Sequence, residues 1–224
     1  MTTRDMILAS IRRALAVSGS EEPRRKVVAD RLAGHPGGVV PLRGQLASVE
    51  RRQLFIKMAE FAAASVETIA DSADIPSTIV AFLRRYNLPM QLRRGDDARL
   101  AGLPWQREGT LTVTTGISDG KQTAAVSHAF AAVAETGTLV LTSGRDNPTT
   151  LNFLPDNHIV VLNGDDIAGD FETVWRRLRA SYGAGIMPRT INMITGPSRS
   201  ADIEQTLFLG AHGPRRVHVI VVAP

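Results

Sequence analysis

The sequence predicts an α/β fold: a layered sheet with helices on both faces, preceded by an N-terminal helical arm. Two observations predict the layers and a third predicts the arm. From about Ser48 onward, stretches of helical character alternate with short apolar runs of strand length, the order expected of sheet strands joined by packing helices. The 224 residues, 43% of them apolar, suffice for one large core. The first segment, by contrast, is amphipathic and leads into residues with no period at all, which sets it apart from the rest of the chain.

Taken in order, Arg4 to Val17 places Ile7, Ile11 and Leu15 on one helical face beside Leu8, with Arg12 and Arg13 elsewhere. The stretch SGSEEPRRKVVADRLAGHPGGVVPLRG then mixes charge, Gly and Pro and reads as a linker or extended crossing segment. The expected division is therefore an arm over 1–44 and a domain over 45–224. Val49 to Ala64 reads as helix, Val66 to Ala70 as strand, and Ile75 to Tyr86 as helix with Pro76 tolerated in its first turn. Met90 to Leu92 and Leu111 to Thr115 read as strands. Ala131 to Ala134 and Leu139 to Leu141, separated by Glu-Thr-Gly-Thr, predict a tight strand-turn-strand. His158 to Leu162 comes next as strand, Ile167 to Tyr182 as a helix with Phe171, Val174, Trp175 and Leu178 on one face, then Ile191 to Ile194 and Val217 to Val222 as strands.

Composition narrows the function. With no Cys, the chain has no thiol nucleophile and no thiolates of its own to hold an iron–sulfur cluster; any electrons move elsewhere. No apolar run reaches membrane-spanning length and the first residues are interrupted by charge, so a soluble, cytoplasmic protein is expected, with no membrane partner. The formal charge of +4 is spread in short clusters with few aromatics beside them, which argues against nucleic acid. The five His residues show no metal-ligand spacing, and His158 and His218, in or beside apolar strands, read as packed. Nucleotide-binding, nucleophile-elbow and zinc-protease motifs are missing.

Three stretches could carry chemistry. In Glu135-Thr136-Gly137-Thr138, a carboxylate beside a Gly that permits close approach could face a crevice, or Glu135 could simply point into water from a turn. In Thr142 to Pro155, Ser143, Gly144 and Arg145 precede a helix that could open at Asp146 or Asn147, with Pro148 in its first turn, making either an anion site or an ordinary N-cap. The densest is TGPSRSADIEQTLFLGAHGP, where Gly196, Pro197, Ser198, Arg199 and Ser200 leave a strand and could cradle a phosphate or carboxylate. The alternative there is a short helix capped by Ser200 with Asp202 and Glu204 in its first turn; His212 further on is a candidate base or merely exposed.

AETGTLVLTSG, LNFLPDNHIVVL and TGPSRSADIEQTLFLGAHGPRRVHVIVV together resemble the lactate utilisation protein C family and its LUD domain, and ILASIRRAL is similar to that family's opening helix. The resemblance implies a NagB/RpiA/CoA transferase-like fold for 45–224. It also implies an accessory subunit of a system oxidising L-lactate to pyruvate, with no cofactor in this chain and the clusters on two Cys-rich iron–sulfur partner proteins. The ligand contacts it suggests, for a small carboxylate, are Thr136, Gly137, Thr138, Ser143, Gly144 and Gly196 to Ser200. A second implication is acyl-CoA transfer, since a Glu two residues before a Gly is the nucleophile of CoA transferases and Glu135 stands in that relation to Gly137. Whether the arm packs on its own chain, in a homo-oligomer or on a partner is open.

Overall fold

The computed structural model describes residues 2–183, 185–201 and 207–223, the side chains of residues 201, 207 and 208 excepted. It divides into two units, Met1–Val39 and Val40–Pro224. The first holds two helices. In α1 (Thr3–Ala14) a capping box fixes the start: Asp5 N–H donates to Thr2 Oγ1 at 3.3 Å, and Thr2 N–H donates to Asp5 Oδ2 at 2.9 Å. The stretch expected to be a linker is instead largely a second helix, α2 (Glu22–Gly34), with Pro23 in its first turn and no buried residue. It has good helix formers but no apolar stripe, so its sequence carries no helical period to read.

The second unit is built on a six-stranded parallel sheet. Its order is β1 (Ser65–Ile69), β12 (Arg216–Val222), β7 (Asn157–Asn163), β4 (Ala124–His128), β2 (Gln91–Arg94) and β3 (Thr112–Thr115). The alternation of side chains along the central strands separates two cores. Val217, Val219 and Val221 with Val160 and Leu162 face one way, onto Phe55 and Ala59 of α3 (Ser48–Phe61). Ile220, Ile159 and Val161 face the other way, onto Ile79, Phe82 and Leu83 of α4 (Ile75–Arg85) and Leu100 of α5 (Ala98–Ala101). Burial of each such side chain contributes about 1.5–3 kcal/mol, so both faces need a cover.

A second, four-stranded sheet shares the first of these cores. Its order is β8 (Ile167–Ala168), β5 (Ala131–Val133), β6 (Thr138–Thr142) and β9 (Ile191–Ile194). Leu139 and Leu141 of β6 turn toward the parallel sheet, while Val140 turns outward onto Val174 and Leu178 of α7 (Phe171–Tyr182). The expected sheet between helices is thus present, all its strands parallel, with an extra sheet between it and α7. The predicted helix from Ile167 begins only at Phe171, because Ile167 and Ala168 pair with Ala132 and Val133 and Asp170 then caps the helix. The strand-turn-strand across Glu-Thr-Gly-Thr is as expected, antiparallel. The remaining elements are α6 (Thr149–Phe153) and a hairpin of β10 (Arg199–Ala201) and β11 (Leu207–Leu209). No helix among the described residues is long and apolar enough to cross a membrane.

Candidate functional site

The Glu-Thr-Gly-Thr turn is pressed into the interior. Gly137 has φ +67°, and a Cβ there would overlap the Met58–Ala59 peptide of α3. Gly137 therefore permits a backbone approach, but to a helix of its own domain. Glu135, 5% exposed, does not point into water. Its Oε2 has no hydrogen-bond partner among the described residues, and the Nε of Arg43 stands 3.8 Å away. A chain of hydroxyls leaves this turn: Thr136 Oγ1 to Thr138 Oγ1 at 2.7 Å, and Thr138 Oγ1 to Thr195 Oγ1 at 2.7 Å.

In the second stretch the groups hold structure together. Ser143 N–H donates to the Thr190 carbonyl at 2.9 Å and its Oγ accepts from Thr190 N–H at 2.9 Å, extending the pairing of β6 and β9. Asn147 does not cap α6: its Nδ2 donates to the Thr142 carbonyl at 3.2 Å, and Pro148 occupies the N-cap position without a side-chain cap. The Gly144 N–H donates to the Asn147 carbonyl at 3.3 Å, closing the turn, and Arg145 is exposed.

The third stretch does form a recess. Gly196, Pro197, Ser198, Arg199, His212 and Asn152 are among the residues lining a cleft of about 310 Å³. Its backbone is tied on both sides: Ser198 N–H donates to the Pro214 carbonyl at 2.9 Å and Gly210 N–H donates to the Ser198 carbonyl at 2.9 Å. Ser198 Oγ accepts from His212 N–H at 3.4 Å, which leaves the hydroxyl proton for another acceptor. Gly196, at φ +70°, lies against the Ala62 carbonyl, so this loop too is anchored at the end of α3. Ser200 is not a helix cap: it pairs with Phe208 across the β10–β11 hairpin, outside the cleft lining. Asp202 and Glu204 lie outside the described residues. The preceding strand, β9, belongs to the four-stranded sheet and runs antiparallel to β6, so this is not the carboxyl-end crevice of the parallel sheet.

Asn152 was not among the expected contacts, and it is the most constrained of them. It is fully buried, its Oδ1 accepts from Ser127 Oγ at 3.1 Å, and Ser127 Oγ is 3.1 Å from His158 Nε2. Burial pushes the His158 imidazole down to about 3, so it is neutral and donates from Nε2 to the serine. The asparagine Nδ2 is left without a partner among the described residues, at the wall of the cleft. Asn152, Ser198 and the exposed Arg199 thus line one cleft, residue types suited to a small anion. A lone Asn in an apolar context, next to Phe153 in LNFLP, was the available signal, but it does not differ from an ordinary capping asparagine.

The parallel sheet with its second layer and Gly-anchored loops defines an α/β domain of recognisable kind. Residues 118–222 match the LUD domain family. Lactate utilization protein C of Geobacillus thermodenitrificans is 36% identical over 107 residues, 46% of this chain and 45% of that protein. The protein of the same name from Geobacillus sp. is 40% identical over 91 residues, 40% of this chain and 38% of that protein. The matches thus span less than half the length of these relatives. A solved DUF162 family protein from Deinococcus radiodurans superposes with a TM-score of 0.58 at 24% identity, over 79% of this chain and 99% of its own, and shares the fold.

Proposed function

We propose that the protein is an accessory component of a lactate-utilisation system in which L-lactate is oxidised to pyruvate. The observation that carries this reading is the match of its LUD segment to proteins named lactate utilization protein C. The oxidation removes two electrons and two protons from the substrate, and a chain without Cys offers no thiolate-bound cluster to receive them. The acceptors in this reading are iron–sulfur clusters on two Cys-rich partner proteins. The chain's own contribution is a docking body whose cleft holds a small carboxylate through Ser198, Arg199 and Asn152.

Deleting the gene should abolish growth on L-lactate while sparing growth on other carbon sources, and affinity purification from lactate-grown cells should bring down two Cys-rich iron–sulfur proteins. Normal growth on lactate after deletion would end the proposal. Arg199→Ala should weaken binding of pyruvate or lactate in the cleft by about tenfold, the scale of one charge-assisted hydrogen bond, while leaving the thermal transition in place; unchanged binding would reduce the loop to scaffold.

A further inference from the structure

A second recess lies at the carboxyl ends of the parallel strands, where none of the sequence motifs pointed. His128 ends β4, Asn163 ends β7 and Val222 ends β12; with Ser72, Arg99 and Leu100 they line a cavity of about 380 Å³. This is where open parallel sheets place their ligands, and the volume falls within the ~300–1,000 Å³ of small-molecule pockets.

Two side chains in it are held in fixed orientation. The Arg99 guanidinium is gripped by the buried Asp97, with Nε donating to Oδ1 at 3.0 Å and Nη2 donating to Oδ2 at 2.6 Å. A guanidinium has five N–H donors; two are taken by Asp97, so the others remain for a ligand. His128 donates from Nδ1 to the Ala129 carbonyl at 2.9 Å, which leaves Nε2 as a lone-pair acceptor. Burial, and then the positive charge of Arg99, hold this imidazole below its ordinary titration range, so the acceptor persists at neutral pH.

A cation presented as a fork selects a carboxylate or phosphate; an acceptor beside it selects against any ligand whose atoms there are only acceptors. Both demands are met by a carboxylate carrying a hydroxyl. We propose that this cavity binds a small 2-hydroxycarboxylate, its carboxylate on the free N–H groups of Arg99 and its hydroxyl donating to Nε2 of His128. The apolar wall formed by Leu100 and Val222 then takes the ligand's alkyl end. The site is separate from the Ser198–Arg199 cleft and does not depend on the lactate-utilisation reading.

Isothermal titration of the full chain with L-lactate, propanoate and lactamide tests it. Lactate should bind saturably, with propanoate about tenfold weaker for want of the donated hydrogen bond and lactamide weaker still for want of the charge. Arg99→Gln should lower lactate affinity by tenfold or more, since it removes the charge-assisted bonds. Because that change leaves Asp97 buried without its cation, Arg99→Lys serves alongside it: the charge stays, the fork is lost, and affinity should fall by a smaller factor with the fold intact by circular dichroism. The titrations are repeated in Arg199→Ala, which weakens binding in the other cleft, and there too the His128 ring resonances should shift as lactate is added. Equal binding of lactate and propanoate, affinity unaltered in both Arg99 variants, His128 resonances that do not move in the Arg199→Ala background, or no saturable binding of lactate would each overturn the proposal. Growth on lactate reads the accessory role separately, so the two can fail independently.

Discussion

Gly137 and Gly196 sit in different sheet turns yet meet the same helix, one against the Met58–Ala59 peptide and the other against the Ala62 carbonyl, both at positive φ. A methyl group at either position adds backbone strain to a steric overlap with main chain that cannot rotate away. Gly137→Ala and Gly196→Ala should each destabilise the domain by about 2–4 kcal/mol, read as a shift in the urea midpoint. A shift equivalent to less than about 0.5 kcal/mol would show that α3 yields. The sequence marked Gly137 because Gly permits close approach and Gly196 as part of an anion-cradling loop; it could not say what approaches either. That partner lies some eighty residues away from Gly137 in the chain, beyond anything local spacing encodes.

At the level of elements, legibility followed apolar patterning, and the buried strand β4 was missed because Ala-Ala-Val-Ser-His has too little bulk to register. Strands with continuous apolar runs, such as β7 and β12, and helices with an apolar face, such as α4 and α7, were readable within a few residues because their burial pattern is written in their side chains. The failures have physical causes. Helix α2 carries no buried face, and β10 and β11 are too short for a period to register. Strand β8 is two residues long and was absorbed into the helix next to it. The candidate site was half legible: Ser198 and Arg199 stood out, whereas Asn152, Arg99 and His128 gain meaning only from neighbours that the fold supplies. The start of α7 depends on one residue in a way that can be measured. Asp170 accepts from Thr173 N–H at 2.8 Å, Thr173 Oγ1 at 2.9 Å and Gln45 Nε2 at 2.9 Å. Asp170→Ala should therefore cost about 1–2 kcal/mol in chemical denaturation, and Asp170→Asn only part of that; equal losses would mean the carboxylate's charge, not its capping geometry, matters.

Across the whole molecule, buried imidazoles make stability depend on pH, His158 and His218 most strongly. Burial holds His158 down to about 3; burial and then Arg85 hold His218 down to about 4, outweighing the bond it makes with Ser65. His218 is also stacked on Phe82 at 4.5 Å, and the half-exposed Glu67 carboxylate at 3.9 Å is too distant to restore its affinity for a proton. In the unfolded chain both rings titrate near the ordinary 6.5, so acid is taken up preferentially by the unfolded state. Stability from these groups is complete above that value and falls as pH drops below it, by up to about 1.4 kcal/mol per pH unit for each ring. Unfolding midpoints measured from about pH 7.5 to 5, above the main carboxylate range, should be flat at first and then decline. A midpoint constant throughout would show that the two rings remain protonatable in the folded state.

The strand order has a consequence for how the protein is made. Strand β12 pairs with β1 on one side, Ser65 against His218, and with β7 on the other, His158 against Val217. During synthesis the parallel sheet therefore has a gap next to its first strand until the residues up to Val222 have emerged. The nascent domain holds β1 without its neighbour for most of its translation, and the apolar face of β7 for the last part of it, and contacts spanning the separation of β1 from β12 form slowly. Strands β2, β3, β4 and β7 can pair as they leave the ribosome, but β1 joins their sheet only when the last strand enters between it and β7.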